Sequence, residues 1–109
     1  EEYLVADLAP LAGRPAVASD AVVTAARDHV DTWRQAKAVV PQYVALSLRS
    51  TDGAITPGFD KRPVWLVTFN GAEYNPPSLC ACAIQYVKAS TAVAMDPGNG
   101  AFVTAFGVD

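Results

Sequence analysis

Arg62-Pro63-Val64-Trp65-Leu66-Val67-Thr68-Phe69-Asn70-Gly71 decides the fold. It is the most apolar and most β-prone run in the chain. In an extended backbone Trp65, Val67 and Phe69 share one side, and Val64, Leu66 and Thr68 share the other. A strand apolar on both sides belongs at the centre of a sheet or under cover on both faces. Asn70-Gly71 is a strong turn signal. Glu73-Tyr74, however, leads to Pro76-Pro77, which cannot extend a central ladder. The sequence therefore predicts a wandering loop through residue 79 in place of a tight hairpin.

Upstream, Ser19 and Asp20 are good helix N-caps, and Asp20 adds negative charge where the helix dipole is positive. Val22, Ala26, Val30, Trp33 and Val40 follow at spacings of four, four, three and seven, the pattern of one helical face. Pro41 has no N–H and disfavours helical geometry at Val40, so the helix is expected over about 20–38. Tyr43–Arg49 alternates, with Val44, Leu46 and Leu48 on one face, and ends at the turn signal Thr51-Asp52-Gly53. A loop over 54–61, with Pro57-Gly58 in its middle, returns the chain to Arg62. Residues 1–18 contain Tyr3, Leu4, Val5, Leu8 and Leu11, interrupted by Pro10, Gly13 and Pro15. They read as a short strand or helical turn followed by a linker.

Downstream, residues 82–95 are β-leaning, as one long strand or two short ones with a weak point at Ala89-Ser90. Asp96-Pro97-Gly98-Asn99-Gly100 is a turn, in which Asp bonds backbone N–H groups and Gly takes positive φ. Phe102–Phe106 closes the chain as a last strand. The expected fold class is α+β: one long N-terminal helix packed on a four-stranded antiparallel meander, PepSY-like or cystatin-like in outline. Residues 1–18 form the N-terminal segment and linker, and 19–109 a single domain.

The 109 residues suit one domain with a core of its own. Hydrophobic residues make up 51% and charged residues 17%, richer and poorer respectively than an average soluble domain. The excess is largely Ala and Val, and this content argues against wholesale disorder. The net charge is −3 and the eight basic residues are scattered, with Lys61-Arg62 the only adjacent pair. Nucleic acid is therefore disfavoured as a partner, as is an anionic membrane surface. No apolar run reaches the roughly 20 residues that span a bilayer. Glu1 is preceded by no Met and followed by no charged-then-apolar leader, which fits a removed signal or a trimmed chain.

The strand Arg62-Pro63-Val64-Trp65-Leu66-Val67 after a helix, followed by Val93-Ala94-Met95-Asp96-Pro97-Gly98-Asn99-Gly100-Ala101-Phe102-Val103, resembles PepSY-like domains and related small secreted or lipid-anchored proteins of actinobacteria. The likeness covers roughly residues 20–106. It implies an extracytoplasmic setting, secreted or in the cell envelope, and a non-catalytic role, in some members inhibition of a peptidase. The chain departs from that pattern in Cys80-Ala81-Cys82, the Pro-rich loop before it and the apolar N-terminal segment.

No residue set makes a catalytic or metal site. His29 is the only histidine and lacks a positioned nucleophile and carboxylate. Cys80 and Cys82 are too closely spaced for a zinc knuckle. In a strand they would lie about 6.5–7 Å apart, at the limit of disulfide geometry, so a local bridge needs a bend; an intermolecular bridge and free thiols are the alternatives. Asp52, Asp60, Glu73 and Asp96 fall at turns, where Asp serves the backbone. Val30, Trp33, Trp65, Val67 and Phe69 are the expected core anchors, with a ligand cavity as the other reading of the two tryptophans. Phe59, Lys61, Arg62 and Tyr74, in two loops flanking the Trp65 strand, are candidates for protein contact.

The expectation is a domain without cofactor that binds a protein or peptide, for example at a sheet edge. Two alternatives stand beside it. One is a small-ligand protein or enzyme with a pocket between helix and sheet. The other is a structural or homo-oligomeric module linked through Cys80 or Cys82.

Overall fold

The computed structural model describes residues 5–50, 52–74 and 89–108. Strands β1 (Val5–Pro10), β2 (Ala38–Arg49), β3 (Arg62–Asn70), β4 (Ser90–Met95) and β5 (Phe102–Val108) form one antiparallel sheet, and their order in space is their order in sequence. Helix α1 (Ser19–Arg27) and a single 3₁₀ turn (Trp33–Gln35) lie between β1 and β2 in the chain. The expected long helix on four strands is thus replaced by one short helix on five.

The helix ends early because its stripe outlasts its backbone. Val22, Ala26 and Val30 are all buried in one cluster with Val67, Phe69, Ala72, Val93 and Met95, and Trp33 packs against that cluster. Only the first two lie in α1. After Arg27 come Asp28, His29, Val30, Asp31 and Thr32, all of low helix propensity, and the short polar side chains of Asp28, Asp31 and Thr32 favour backbone partners outside a helix. The Thr32 hydroxyl does so over a distance, donating 2.7 Å to the Glu73 carbonyl. The expected capping also differs: Ala18 is the N-cap, and Asp20 sits in the first turn with its carboxylate accepting the Ala21 N–H at 2.9 Å.

Pro41, expected to stop a helix, lies inside β2 opposite Val67. β1 pairs with Val44–Arg49 of β2 and the Leu11 N–H reaches the Tyr43 carbonyl, so among the described residues Ala38–Gln42 have no strand on that side and a residue without an N–H is tolerated there. The β-branched run Val39-Val40 and the extended bias of a pre-proline residue favour strand over helix.

β3 is the middle strand, paired with β2 from Arg62 to Asn70 and with β4 from Trp65 to Phe69. It is buried on both faces. Val67 and Phe69, fully buried, face the helix side. Val64 and Leu66 belong to a second cluster on the opposite face with Val44, Leu46, Leu48, Ala92 and Ala94. Each fully buried side chain of this size contributes roughly 1.5–3 kcal/mol relative to exposure, so the two clusters account for most of the stabilisation. β4 is buried along its whole length, and β5 pairs with it up to an irregularity between Ala94 and Met95. The hairpin joining them is the Asp96–Gly100 turn. Asp96 Oδ1 accepts the Gly98 and Asn99 N–H groups at 2.7 and 3.3 Å, and Gly100 adopts φ 75°.

Candidate recognition site

Among the described residues, β1 and β5 each pair on one side only. An open edge presents the outward N–H and C=O groups of every second residue, a template for another strand. The two edges differ in their side chains. β1 carries Asp7, whose carboxylate takes a 2.6 Å ion pair from Arg49 Nε, and it ends at Pro10. Charge and proline are the usual devices that keep sheet edges apart.

β5, Phe102-Val103-Thr104-Ala105-Phe106-Gly107-Val108, has neither. Its residues from Val103 onward are half-buried, while Phe102 is 45% exposed. The register irregularity is confined to its first residues, leaving Thr104–Val108 as a regular strip opposite Ala94–Ser90. Phe106 and Val108 pack against the cluster opposite the helix, and Ala105 against the helix-side cluster, so both core layers reach this edge.

A small cleft lies near the start of β5. His29 stacks on Phe102 with ring centroids 4.2 Å apart and planes at 22°. Beside it His29, Val30, Asp31, Thr32, Glu73, Tyr74 and Thr91 enclose about 100 Å³. Sites for small molecules usually occupy about 300–1,000 Å³, so this cleft holds a few waters and no cofactor-sized group. Its hydroxyls are committed to the backbone: Thr32 to the Glu73 carbonyl, and Thr91 to the Ala72 carbonyl at 2.9 Å. Among the described residues, no three His, Cys, Asp or Glu side chains are arranged to hold a metal, and no helix is long and apolar enough to cross a membrane.

The contact residues suggested by sequence do not form one cluster. Phe59, Lys61 and Arg62 lie at the N-terminal end of β3, where the Arg62 guanidinium sits 5.6 Å from the Phe59 ring centroid. The Lys61 N–H donates 2.9 Å to Ser47 Oγ, and Phe59 folds against the core. Tyr74 lies beyond the other end of this nine-residue strand, a separation of about 30 Å at 3.3 Å per residue. Of the core anchors, Val30, Val67 and Phe69 are buried together, with Trp33 and Trp65 at the margin of the same cluster. Trp33 lies under two guanidinium groups, Arg27 at 4.9 Å and Arg34 at 5.1 Å. Trp65 lies 6.1 Å from Tyr43 and donates Nε1–H to the Val17 carbonyl at 2.9 Å. The helix–sheet interface that holds them is filled by Val22, Ala26, Val67, Phe69 and Val93, none of which is solvent-exposed. Cys80 and Cys82 lie outside the described residues.

Sequence reasoning passed over the β5 edge. The signal was present as a closing strand with no charge and no proline, but edge position depends on strand order, which the sequence does not state.

No protein-family model matches the chain, and no curated protein or solved structure does either. What defines the molecule is its architecture: an antiparallel five-stranded meander, one covering helix and an uncharged edge.

Proposed function

We propose that this chain is a non-catalytic recognition domain that binds a protein or peptide by adding a strand to the Thr104–Val108 edge. The observation that carries the reading is the contrast between the two edges. β1 has Asp7, Arg49 beside it and Pro10; β5 offers a regular strip with neither charge nor proline. In strand addition, backbone hydrogen bonds supply affinity and alternate side chains supply selectivity. A fitting ligand is an extended, uncharged segment. On one face its apolar side chains would meet Thr104, Phe106 and Val108, and small side chains would meet Ala105 and Gly107 on the other. The extracytoplasmic setting rests on the resemblance to PepSY-like domains. A library of extended peptides, screened by amide shift changes in labelled protein, tests the proposal. The expected result is a response concentrated in residues 102–108. Binding that shifts only the Phe59–Arg62 loop or the His29 cleft would overturn it.

A further inference from the structure

We infer that the strand received by this edge is β5 of a second copy, joining two five-stranded sheets into one continuous ten-stranded sheet. The inference rests on the strand-addition reading and names its partner. Two-fold antiparallel pairing of an edge with itself sets residues equally far from the axis against each other, so a strip with charge of one sign meets the same sign from the other copy. A self-pairing edge therefore avoids an excess of one sign of charge, a condition that a heterologous partner of opposite charge does not impose. Thr104–Val108 meets this condition and β1, with Asp7, does not.

The antiparallel register centred on Phe106 uses the whole strip. It sets Phe106 beside its own counterpart, Thr104 beside Val108, and Ala105 beside Gly107. Phe106 and Val108 already lie against the cluster formed by Ala92, Ala94 and Leu66. Pairing there extends that apolar layer from one copy into the next, and an aromatic pair at the two-fold axis favours the register. No charge takes part, so raised salt should not weaken the association.

Sedimentation velocity over a concentration series, with reductant present to exclude cysteine cross-links, tests the inference. The expected species is a reversible dimer of twice the 11.5 kDa chain mass, unchanged by high salt. Thr104→Lys should weaken it at least tenfold, because an edge lysine must be desolvated on pairing. Leu8→Lys, on the other edge, should leave it intact. Hydrogen exchange on the unsubstituted chain needs no variant and should show β5 amides gaining protection as concentration rises. A dimer broken by Leu8→Lys and not by Thr104→Lys overturns the inference, as does one dissolved by salt. A monomer at every concentration whose β5 responds to an extended peptide also overturns it and leaves strand addition standing. A monomer that binds no such peptide ends both.

Discussion

Trp65 Nε1 donates a 2.9 Å hydrogen bond to the carbonyl of Val17, forty-eight residues earlier in the chain. Val17 is held at its other end too: its N–H donates 3.2 Å to the Pro97 carbonyl. One residue just before α1 is thereby tied to the central strand and to the β4–β5 turn, which orients the helix over Val67, Phe69 and Val93. Trp65→Phe keeps a ring but leaves the Val17 carbonyl without this donor. The expected loss is about 1–2 kcal/mol in urea unfolding, with faster exchange of the α1 amides than of β3. Equal exchange in both elements would show that the bond does not hold the helix.

The same clamp meets the turn at Gly100. Its φ of 75° is unfavourable for an L side chain, whereas a Cβ there would lie 3.8 Å from the Val17 methyls, an ordinary contact. The cost of Gly100→Ala is therefore conformational, about 1–2 kcal/mol. Asp96→Ala removes the acceptor for Gly98 and Asn99 and should cost about 0.5–1.5 kcal/mol. Because both changes act on one five-residue turn, the double variant should lose measurably less than the sum. Strict additivity in a double-mutant cycle would show that the two residues act independently.

The parts of the fold legible in the sequence were those set by local pattern. β3 announces itself because both of its faces are apolar, and the Asp96–Gly100 turn because its residue types suit only a turn. The stripe Val22, Ala26 and Val30 was rightly a buried face. Burial of that stripe does not require continuous helix, since a turn and a 3₁₀ segment carry Val30 and Trp33 to the same cluster. Pro41 misled for a non-local reason: it is tolerated in β2 because β1 stops short of it, a fact of register between segments thirty residues apart. The candidate site was least legible. That β5 pairs on one side only among the described residues, and that Phe59 and Tyr74 lie at opposite ends of β3, follow from strand order and length.

Asp52 provides a test by pH. Ser50 donates its hydroxyl to the Asp52 carboxylate, and the Ala54 N–H adds a 3.0 Å bond; together they hold its pKa below the ordinary 3.8, the Ser50 bond being the larger cause. A folded pKa below the unfolded one gives stability that is fully present above the unfolded value and lost as pH falls through the folded value. The effect therefore belongs to pH below about 3.8. A carboxyl-carbon NMR titration should place the Asp52 midpoint below those of free aspartates, and Ser50→Ala should move it upward. An unchanged midpoint in Ser50→Ala would remove the hydroxyl as the cause.

At the far end of β3 the chain is fastened to β4 by two side chains. Ser90 Oγ accepts the Gly71 N–H at 3.1 Å, and the Thr91 hydroxyl donates 2.9 Å to the Ala72 carbonyl. Ala72 is fully buried and Thr91 only 3% exposed, so water cannot easily replace the lost donor. Thr91→Val keeps the volume and leaves a buried carbonyl unsatisfied, an expected cost of about 1–3 kcal/mol. Thr91→Ser keeps the hydroxyl and loses one methyl, about 0.8 kcal/mol of burial. The order Thr91→Val worse than Thr91→Ser therefore reports the hydrogen bond, and the reverse order would report packing alone. Because Glu73 and Tyr74 follow directly, Thr91→Val should also disturb the amides lining the His29 cleft. The Thr104–Val108 strip, at the other side of β4, should keep its peptide response.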